Sequence, residues 1–466
     1  MTTAGSATDH TPVGETLGAF AASARLDHAP VEVQAFARLL LLDTLGALLG
    51  GLRYAPVRRL GRSLGLATEG PAPFGFLLTL GTAATWLDAD SGGSFHPQGH
   101  RLPPVPTAHP CPHVLPVLLR AAAADGVEDH RLLEIFVVAD EVGMRAGTAT
   151  SLRPGLHPHG VHGPGAAAVA AGMLRGAPAS ELGAAWLLGS SLPLAATLDV
   201  PVRGGTVRNA WTGLGSWYGA AADLRAAAGE NGDEALWSAL FEGAVCTDLS
   251  PEELLGDLGS RWQLAASYLK PYACARWVHP ALDAVTAALA TAGLRPGDPE
   301  AATILGVEVD TFAFAASLQE TQPGSDLHAR FSVPACLAAL LLDGDLHAGS
   351  FLDDALHRPA LRELAGRVVL REDPAASAAL PRERLAAVAV HLADGRTLRA
   401  EVRGARGNPD VALGREEVLT KLRRNTGDLV PAALLDDLEA SVLDGAGNGS
   451  ALAAVTRAAV RAVAGS

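Results

Sequence analysis

The segment that most constrains the fold is residues 30–51, PVEVQAFARLLLLDTLGALLGG. A proline at its start and a glycine pair at its end mark it as one helix. Almost every face of that helix is apolar, so it has to lie at the centre of a larger assembly of helices. Aromatic residues make up only 5% of the 466 residues, so alanine and leucine must fill the core around it. Small side chains let helices pack closely, and we therefore predict a mainly α fold.

The rest of the pattern divides the chain into a helical part and a smaller mixed part. Apolar periodicity predicts further helices at 14–25, 75–87, 114–125, 130–147, 180–197, 207–228 and 233–243. Later in the chain, 302–315 alternates like a strand, and an Asp-Gly pair at 394–395 joins two alternating segments as a β-hairpin. We predict a large all-helical domain formed by 1–268 and 408–466, with a smaller α/β lid domain inserted at 269–407.

The composition and the charge argue against several binding partners and cellular locations. A net charge of −14 argues against nucleic acid or an anionic membrane surface. The four cysteines are widely spaced and form no CxxC pair, which fits a reducing, cytoplasmic compartment. The N-terminus lacks the basic-then-apolar pattern of a signal peptide. No run of about 18 uncharged apolar residues occurs, so we expect no transmembrane helix.

The stretch 85–113, TWLDADSGGSFHPQGHRLPPVPTAHPCPH, breaks the helical pattern. It contains the acids Asp88 and Asp90 and the cation Arg101, and its prolines prevent a regular helix. Its histidines are His96, His100, His109 and His113. A titratable, irregular segment of this length between apolar helices is typical of a functional loop.

Two later segments carry the same kinds of residue. RPGLHPHGVHGPG holds three histidines, among them His157 and His159, beside glycines that let a backbone approach a ligand. It leads into the N-terminus of a helix, which stabilises an anion. Arg208 begins the next long helix, where a cation opposes the helix dipole, and this hints at ligand binding. YLKPYACARWVHPALDAV then places Lys270 and Arg276 close together.

Metal binding is one interpretation of the histidines. The pairs His96/His100 and His109/His113 have i, i+4 spacing, which puts ligands on one face only within a helix, and the prolines forbid one there. No HExxH motif occurs. A metal-dependent hydrolase is therefore the second hypothesis, and a catalytically inactive helical dimer used for binding is the third.

Acid–base chemistry fits the residues better. No GxSxG elbow occurs, and Cys111 and Cys274 fit buried core positions, so nucleophilic catalysis is disfavoured. Asp88 sits at a helix end in an apolar setting, where desolvation raises a carboxyl pKa, and a nearby histidine titrates in the useful range. Candidate ligands for substrate carboxylates are Lys270, Arg208, Arg276 and Arg101. The set suits proton abstraction next to a carboxylate, followed by loss of a leaving group.

Several segments together resemble the MmgE/PrpD family, which includes 2-methylcitrate dehydratase, cis-aconitate decarboxylase and iminodisuccinate epimerase. The matching stretches, in family order, are DTLGALLGG at 43–51, LDAD at 87–90, GHR at 99–101, HPCPHVLPVLLRAAAADG at 109–126, HPHGVHGPGAAAVAAGML at 157–174, GGTVRNAWTGLGSWYGAAADL at 204–224, KPYACARWVHPALDA at 270–284 and FSVPACLAALLLDG at 331–344. The KPY-x-C-x-R-x-x-HP-x-x-DA match is the most specific. The resemblance implies a helical fold with a lid, a homodimer, and activity without a metal or organic cofactor.

By position, the resemblance implies four catalytic residues. They are Asp88, His109, His157 and Lys270. Arg208 occupies a position that is lysine in the decarboxylase-like members. The loop is longer than usual and contains a second His-Pro pair, so His96 is the alternative to His109. Ala335 stands where the FSIPY motif has tyrosine, which suggests a reshaped pocket.

We therefore predict a cofactor-independent lyase of the dehydratase or β-eliminase type, acting on a small anionic substrate. An epimerase or a decarboxylase of a small polycarboxylate would use the same pocket. The reshaped pocket favours a role in specialised metabolism. The residues predicted to bind substrate are Arg208, Arg101, His100, His159 and Arg276.

Overall fold

The computed structural model describes residues 12–68, 73–93, 108–194, 197–447 and 449–465, and its architecture is mainly α, as predicted. The helices of the first part are α1 (Val13–Ser23), α2 (Val31–Leu52), α3 (Ala55–Ser63), α4 (Pro73–Ala84), α5 (Cys111–Arg120), α6 (Asp129–Thr148), α7 (Gly163–Arg175), α8 (Ala179–Ser190), α9 (Asp199–Val202), α10 (Val207–Ala227), α11 (Glu234–Leu240) and α12 (Pro251–Leu255). Its short strands are β1 (Gly92–Gly93), β2 (Thr150–Leu152), β3 (Cys246–Leu249) and β4 (Ser267–Tyr268). Strand β1 pairs with β4, and β2 pairs with β3, both antiparallel.

Helix α2 forms the centre of the helical core. Every residue from Leu40 to Leu52 is buried. A Cβ atom at Gly51 would lie 2.0 Å from the carbonyl oxygen of Ala83, and one at Gly46 would lie 3.0 Å from the Cα of Leu422, so glycine is what lets these neighbours approach. By length and composition α2 could cross a membrane, but 78% of its most apolar window is buried inside the protein. It is therefore a core helix.

The second part of the chain contains the larger sheet. Its elements are α13 (His279–Ala290), β5 (Gly306–Thr311), α14 (Ala313–Ala316), α15 (Asp326–Arg330), α16 (Val333–Asp343), α17 (Pro359–Ala365), β6 (Val368–Glu372), α18 (Pro374–Ala379), β7 (Ala386–His391) and β8 (Thr397–Val402). The strand order is β6-β5-β7-β8, with β5 and β6 parallel and the other pairs antiparallel. The predicted hairpin joins β7 and β8, where Gly395 adopts a φ of +89°. A separate hydrophobic core, drawn from residues 272–392, fills this part. We keep the name lid for it, and its boundaries at 269–407 stay a prediction.

The last three helices return to the helical part. They are α19 (Arg415–Thr426), α20 (Ala432–Asp444) and α21 (Ala451–Ala464). Their buried apolar residues belong to the same hydrophobic core as those of α2. Helix α19 packs directly on α2, which brings the C-terminal region behind the loop that follows α4.

Several elements differ from their predicted lengths for local reasons. The helix predicted at 180–197 ends at Ser190, because Pro193 disfavours helix in the residue before it. The helix predicted from residue 114 begins at Cys111, and a π-helical turn at Ala121–Asp125 continues it. The strand predicted at 302–315 covers only β5, because α14 begins directly after it.

Candidate active site

A cavity of about 90 Å³ lies where the loops of the helical part meet the lid. Its charged and aromatic lining residues are Asp88, His109, His157, His159, Arg208, Tyr268, Lys270, Arg276, Trp277, Phe331 and Arg384. Three predicted site residues, His96, His100 and Arg101, lie outside the described residues. All the other predicted site residues line this cavity.

Asp88 ends the turn after α4 in a strained conformation. Its φ is +49°, in the left-handed region that L side chains other than Asn and Asp rarely adopt. The carboxylate is buried and accepts a hydrogen bond from Arg208, and its Oδ1 lies 3.0 Å from the Nζ of Lys270. The same Nζ donates to the main-chain carbonyl of Asp88 at 2.8 Å. Two cations from distant parts of the chain therefore fix one strained aspartate.

Arg208 is held almost entirely by protein groups. It is buried in the first turn of α10, and it donates to the carbonyl of Thr85 and to the carboxylate of Asp88. Its Nη2 also lies 3.2 Å from the Nε2 of His159. Because these acceptors occupy both terminal nitrogens, we interpret Arg208 mainly as the residue that positions Asp88 and the second loop.

His109 is oriented by the backbone and by a second aspartate. Its Nδ1 lies 2.7 Å from the carbonyl oxygen of Ser91 and 2.9 Å from the Oδ2 of Asp90. Both neighbours are acceptors, so the ring proton is assigned to Nδ1 and the lone pair to Nε2. Burial alone would raise the pKa of Asp90, but Lys270, His109 and Arg208 together hold it below its usual range. His109 therefore has the tautomer of a general base.

His157 has the opposite tautomer. The backbone N–H of His159 donates to the Nδ1 of His157 at 3.1 Å, so the proton of the neutral ring is on Nε2. The ring of His159 stacks on that of His109 with centroids 4.1 Å apart, and its Nε2 lies 3.3 Å from the Oδ2 of Asp90. Burial holds the pKa of His157 and of His159 well below the usual value, and His109 and Arg208 lower both further. His157 is thus a neutral hydrogen-bond donor at neutral pH.

Lys270 places a charged ammonium in the lining of the cavity. Burial alone would lower the pKa of this lysine, but Asp88 and Asp90 raise it above the usual value, so the ammonium stays charged. An ammonium has three donors, and two of them go to Asp88. The third donor is available for a substrate oxygen.

Arg276 forms part of the lid side of the cavity. Its guanidinium donates to the side chain of Asn408 and to the carbonyl of Arg406, the latter at 2.9 Å, and lies 4.9 Å from the ring centroid of Tyr268. Burial, followed by repulsion from Arg384, lowers the pKa of Arg276 to about 10.

Two of the buried histidines have structural roles. His113 bonds the carbonyl of His109 at 3.0 Å, and its ring fills the space beside Gly163 and Gly215, where a Cβ would clash. Burial lowers the pKa of His113 to about 4. His162 lies 3.0 Å from the hydroxyl of Thr150, and burial lowers its pKa to about 3. Both rings are neutral parts of the core.

Lys421 and Asp43 support the loop from behind, and the sequence analysis missed both. The Nζ of Lys421 donates to the carbonyl of Ala89 at 2.8 Å and to the Oδ1 of Asp43 at 2.6 Å. The sequence could have indicated Asp43, because an acid inside the apolar helix α2 is buried and a buried charge needs a partner. It could not have indicated Lys421, because the helix of Lys421 is rich in charged residues and looks exposed.

Three residues could together hold a metal ion. Ligand atoms from Asp90, His109 and His159 all lie within 4.8 Å of one another, and two imidazoles with a carboxylate suit zinc or iron. However, the Nη2 of Arg208 lies 3.2 Å from the Nε2 of His159 and 3.8 Å from the Oδ1 of Asp90. An ion there would have to displace a buried guanidinium, so these residues fit a hydrogen-bonded cluster better than a metal centre.

The family models cover both parts of the chain. The MmgE/PrpD N-terminal domain model matches residues 15–244, and the MmgE/PrpD C-terminal domain model matches residues 272–444. The chain belongs to the MmgE/PrpD family. Members of the MmgE/PrpD family are generally enzymes, namely dehydratases, decarboxylases and epimerases. A search of curated proteins found no match to the chain.

The two MmgE/PrpD matches divide most of the lining of the cavity between them. Asp88, His109 and His157 fall within that domain, and Lys270 lies between the two matched segments. Ala335, where the FSIPY motif of the family has tyrosine, is fully buried in α16 and is not a lining residue. Phe331 lines the cavity from the same segment and makes that wall apolar.

Proposed function

We propose that this MmgE/PrpD protein is a cofactor-independent lyase of the dehydratase or β-eliminase type, acting on a small substrate that carries a carboxylate. One observation carries the proposal: the same cavity holds two imidazoles whose hydrogen bonds at Nδ1 run in opposite directions. His109 offers a lone pair at Nε2, and His157 offers an N–H at Nε2. The charged ammonium of Lys270 lines the same space.

In the first step the Nε2 of His109 takes the proton next to the substrate carboxylate. The electron pair of the broken C–H bond moves onto the carboxylate, which becomes an enediolate. Lys270 and the Nε2–H of His157 donate hydrogen bonds to its oxygens, and such preorganised donors are worth more in a closed cavity than in water.

In the second step the electron pair of the enediolate forms a C=C bond between the α- and β-carbons. At the same time the bond from the β-carbon to the leaving hydroxyl breaks. The imidazolium of His109 gives its proton to that oxygen, so water leaves and His109 is neutral again. His157 stays neutral throughout, because a neutral imidazole that lost its Nε2 proton would become an imidazolate. We infer that His157 acts as an electrophile and not as the acid.

Deuterium exchange tests the proposal. The purified protein is incubated in D₂O with a panel of small hydroxy- and amino-polycarboxylates, and carbon-bound hydrogen is followed by NMR. Deuterium at the carbon next to a carboxylate is expected, and the product distinguishes elimination from epimerisation or decarboxylation. If no member of the panel exchanges and none is converted, the proposed lyase activity is wrong.

A metal-dependent hydrolase is the second candidate, and the trio of Asp90, His109 and His159 is the observation in its favour. Elemental analysis of the purified protein discriminates the two. Stoichiometric zinc or iron, together with hydrolysis that a chelator abolishes, would show that the protein is a metal-dependent hydrolase and not a lyase.

We also propose a cytoplasmic homodimer that binds neither nucleic acid nor membrane. The four free, buried cysteines support a reducing compartment, and the net charge of −14 opposes binding to polyanions. Light scattering after size-exclusion chromatography tests the dimer, since a mass of one chain would refute it.

A further inference from the structure

Arg384 lies in the lid just before β7, and the sequence analysis gave it no role. Its backbone N–H donates to the carbonyl of Arg403 at 3.1 Å, so its main chain is held by the end of the neighbouring strand. Its side chain lines the catalytic cavity and also a larger outer cleft of about 630 Å³ on the lid. The guanidinium therefore stands at the boundary between the two spaces.

An aromatic group fixes this guanidinium without neutralising it. Its central carbon lies 4.5 Å from the ring centroid of Trp277, a cation–π distance. The indole of Trp277 in turn meets the rings of Phe312 and Phe314 edge-on, with centroids 6.1 and 5.1 Å away. Arg384 thus rests on a rigid platform and keeps its N–H donors free for an anion.

Within the described ranges, no acidic side chain lies within ion-pair distance of Arg384. The adjacent acid, Glu383, pairs instead with Arg403 at 3.0 Å, and Glu401 pairs with Arg403 at 2.9 Å. The carboxylates of Glu383 and Glu401 are therefore already engaged.

The charges around the cavity do not balance. The described lining contains the cations Arg208, Lys270, Arg276 and Arg384 and the carboxylate of Asp88, with Asp90 directly behind. The two acids engage Arg208 and Lys270. Arg276 meets neutral oxygens, and Arg384 meets an aromatic face. Arg384 is half-buried and has no carboxylate partner among the described residues, so this lid side is suited to an anion from outside the protein.

We propose that Arg384, resting on Trp277, binds the anionic group of the substrate that lies farther from the reacting carbon. It would thereby select substrates with two anionic groups over those with one. This inference rests on the proposed function for the identity of the reacting carbon. Arg276, whose two terminal nitrogens donate to the loop around Asn408, adds charge but little direct contact.

Calorimetric titration tests the inference with inert probes. Succinate and glutarate are each compared with the corresponding monoamide, which removes one charge at nearly constant shape. The unaltered protein is expected to prefer each diacid. Arg384→Gln should lose about tenfold or more of that preference, as for a lost charge-assisted hydrogen bond. Arg384→Lys should keep part of it, because the charge remains.

Arg382→Gln is the matched control, because Arg382 is exposed and lines only the outer cleft. It should leave the preference unchanged. Trp277→Leu removes the aromatic ring on which Arg384 rests, so it should weaken diacid binding. This variant replaces Arg384→Gln in the test if Arg384→Gln does not fold. An unchanged preference in Arg384→Gln, or none in the unaltered protein, would overturn the inference.

The experiments distinguish failure of the proposed lyase activity from failure of the proposed role of Arg384. A diacid preference that depends on Arg384, found together with no deuterium exchange, rejects the lyase and leaves the binding residue in place. Exchange that proceeds while Arg384→Gln keeps the diacid preference rejects only the role of Arg384.

Discussion

Lys421 donates a hydrogen bond to the carbonyl of Ala89, a residue 332 positions earlier in the chain. The same ammonium is paired with Asp43 of α2. Helix α19 therefore holds the main chain between Asp88 and Asp90. This buried ion pair links the stability of the helical core to the geometry of the cavity.

Lys421→Met should reduce both stability and activity. It leaves Asp43 buried without its partner, which costs about 3–5 kcal/mol in comparable cases. In the double variant Asp43→Asn/Lys421→Met no charge is stranded, so urea unfolding should show that much of the stability returns. Turnover should stay low in both variants, because neither supplies a donor to Ala89. Full turnover in the double variant would show that this donor is dispensable.

His109→Gln should slow deuterium exchange at least about 10²-fold, the usual contribution of a general base. His162→Gln is the matched control, since it alters a buried histidine that contacts Thr150 and lies outside the cavity lining. The control should lower the thermal midpoint and keep exchange in the folded fraction. Equal losses of exchange in the two variants would contradict the assignment of His109 as the base.

His157→Ala should also cost at least about 10²-fold in rate, because it removes a hydrogen-bond donor to the enediolate. Because the proposed role is donation from a neutral side chain, His157→Gln should recover part of that loss through its amide N–H. The test is the pH profile of turnover for the three proteins. Activity of His157→Ala at the level of the unaltered protein would remove this residue from the mechanism.

Asp140 gives the stability of the fold a dependence on pH. It is fully buried, accepts a hydrogen bond from the thiol of Cys111, and has a pKa that burial raises to about 7. Because the folded pKa exceeds the unfolded value of about 3.9, the folded state binds more protons between these values. Stability should therefore fall as pH rises from about 4 to 7, by up to about 4 kcal/mol from this group.

Asp140→Asn should flatten that slope, and Asp125→Asn, at an exposed aspartate close in sequence, should leave it unchanged. Chemical unfolding measured at several pH values makes the comparison. A slope that survives in Asp140→Asn would mean that another group carries the dependence.

The sequence predicted the core of the cavity because its residues stand out locally. Asp88, His109 and His157 lie in irregular, glycine- or proline-rich segments between apolar helices, where titratable groups have no structural reason to gather. The family resemblance added Lys270 by its position in KPY. The mainly α fold followed from the same contrast, because alanine- and leucine-rich helices have only one another to pack against.

The residues that were missed act over long range or have no local pattern. Lys421 belongs to a helix that looks solvent-exposed, and only the packing of α19 on α2 turns it inward. Arg384 precedes an ordinary strand. Strand β6 was also missed. It pairs in parallel with β5, which is 57 or more residues earlier in the chain, and no tight turn between the two strands marks the pairing.

The ladder between β1 and β4 is only two residues long, yet it joins the segment that precedes His109 to the segment that precedes Lys270. Gly92 pairs with Tyr268, two residues before Lys270, and a side chain at Gly92 would strike both Tyr268 and the imidazole of His109. Strand β4, which leads into the lid, therefore helps to set the distance between the imidazole of His109 and the ammonium of Lys270. A substitution that tilts the lid would therefore shift Lys270 relative to His109, so a change in the shape of the cavity would require both parts of the chain to change together.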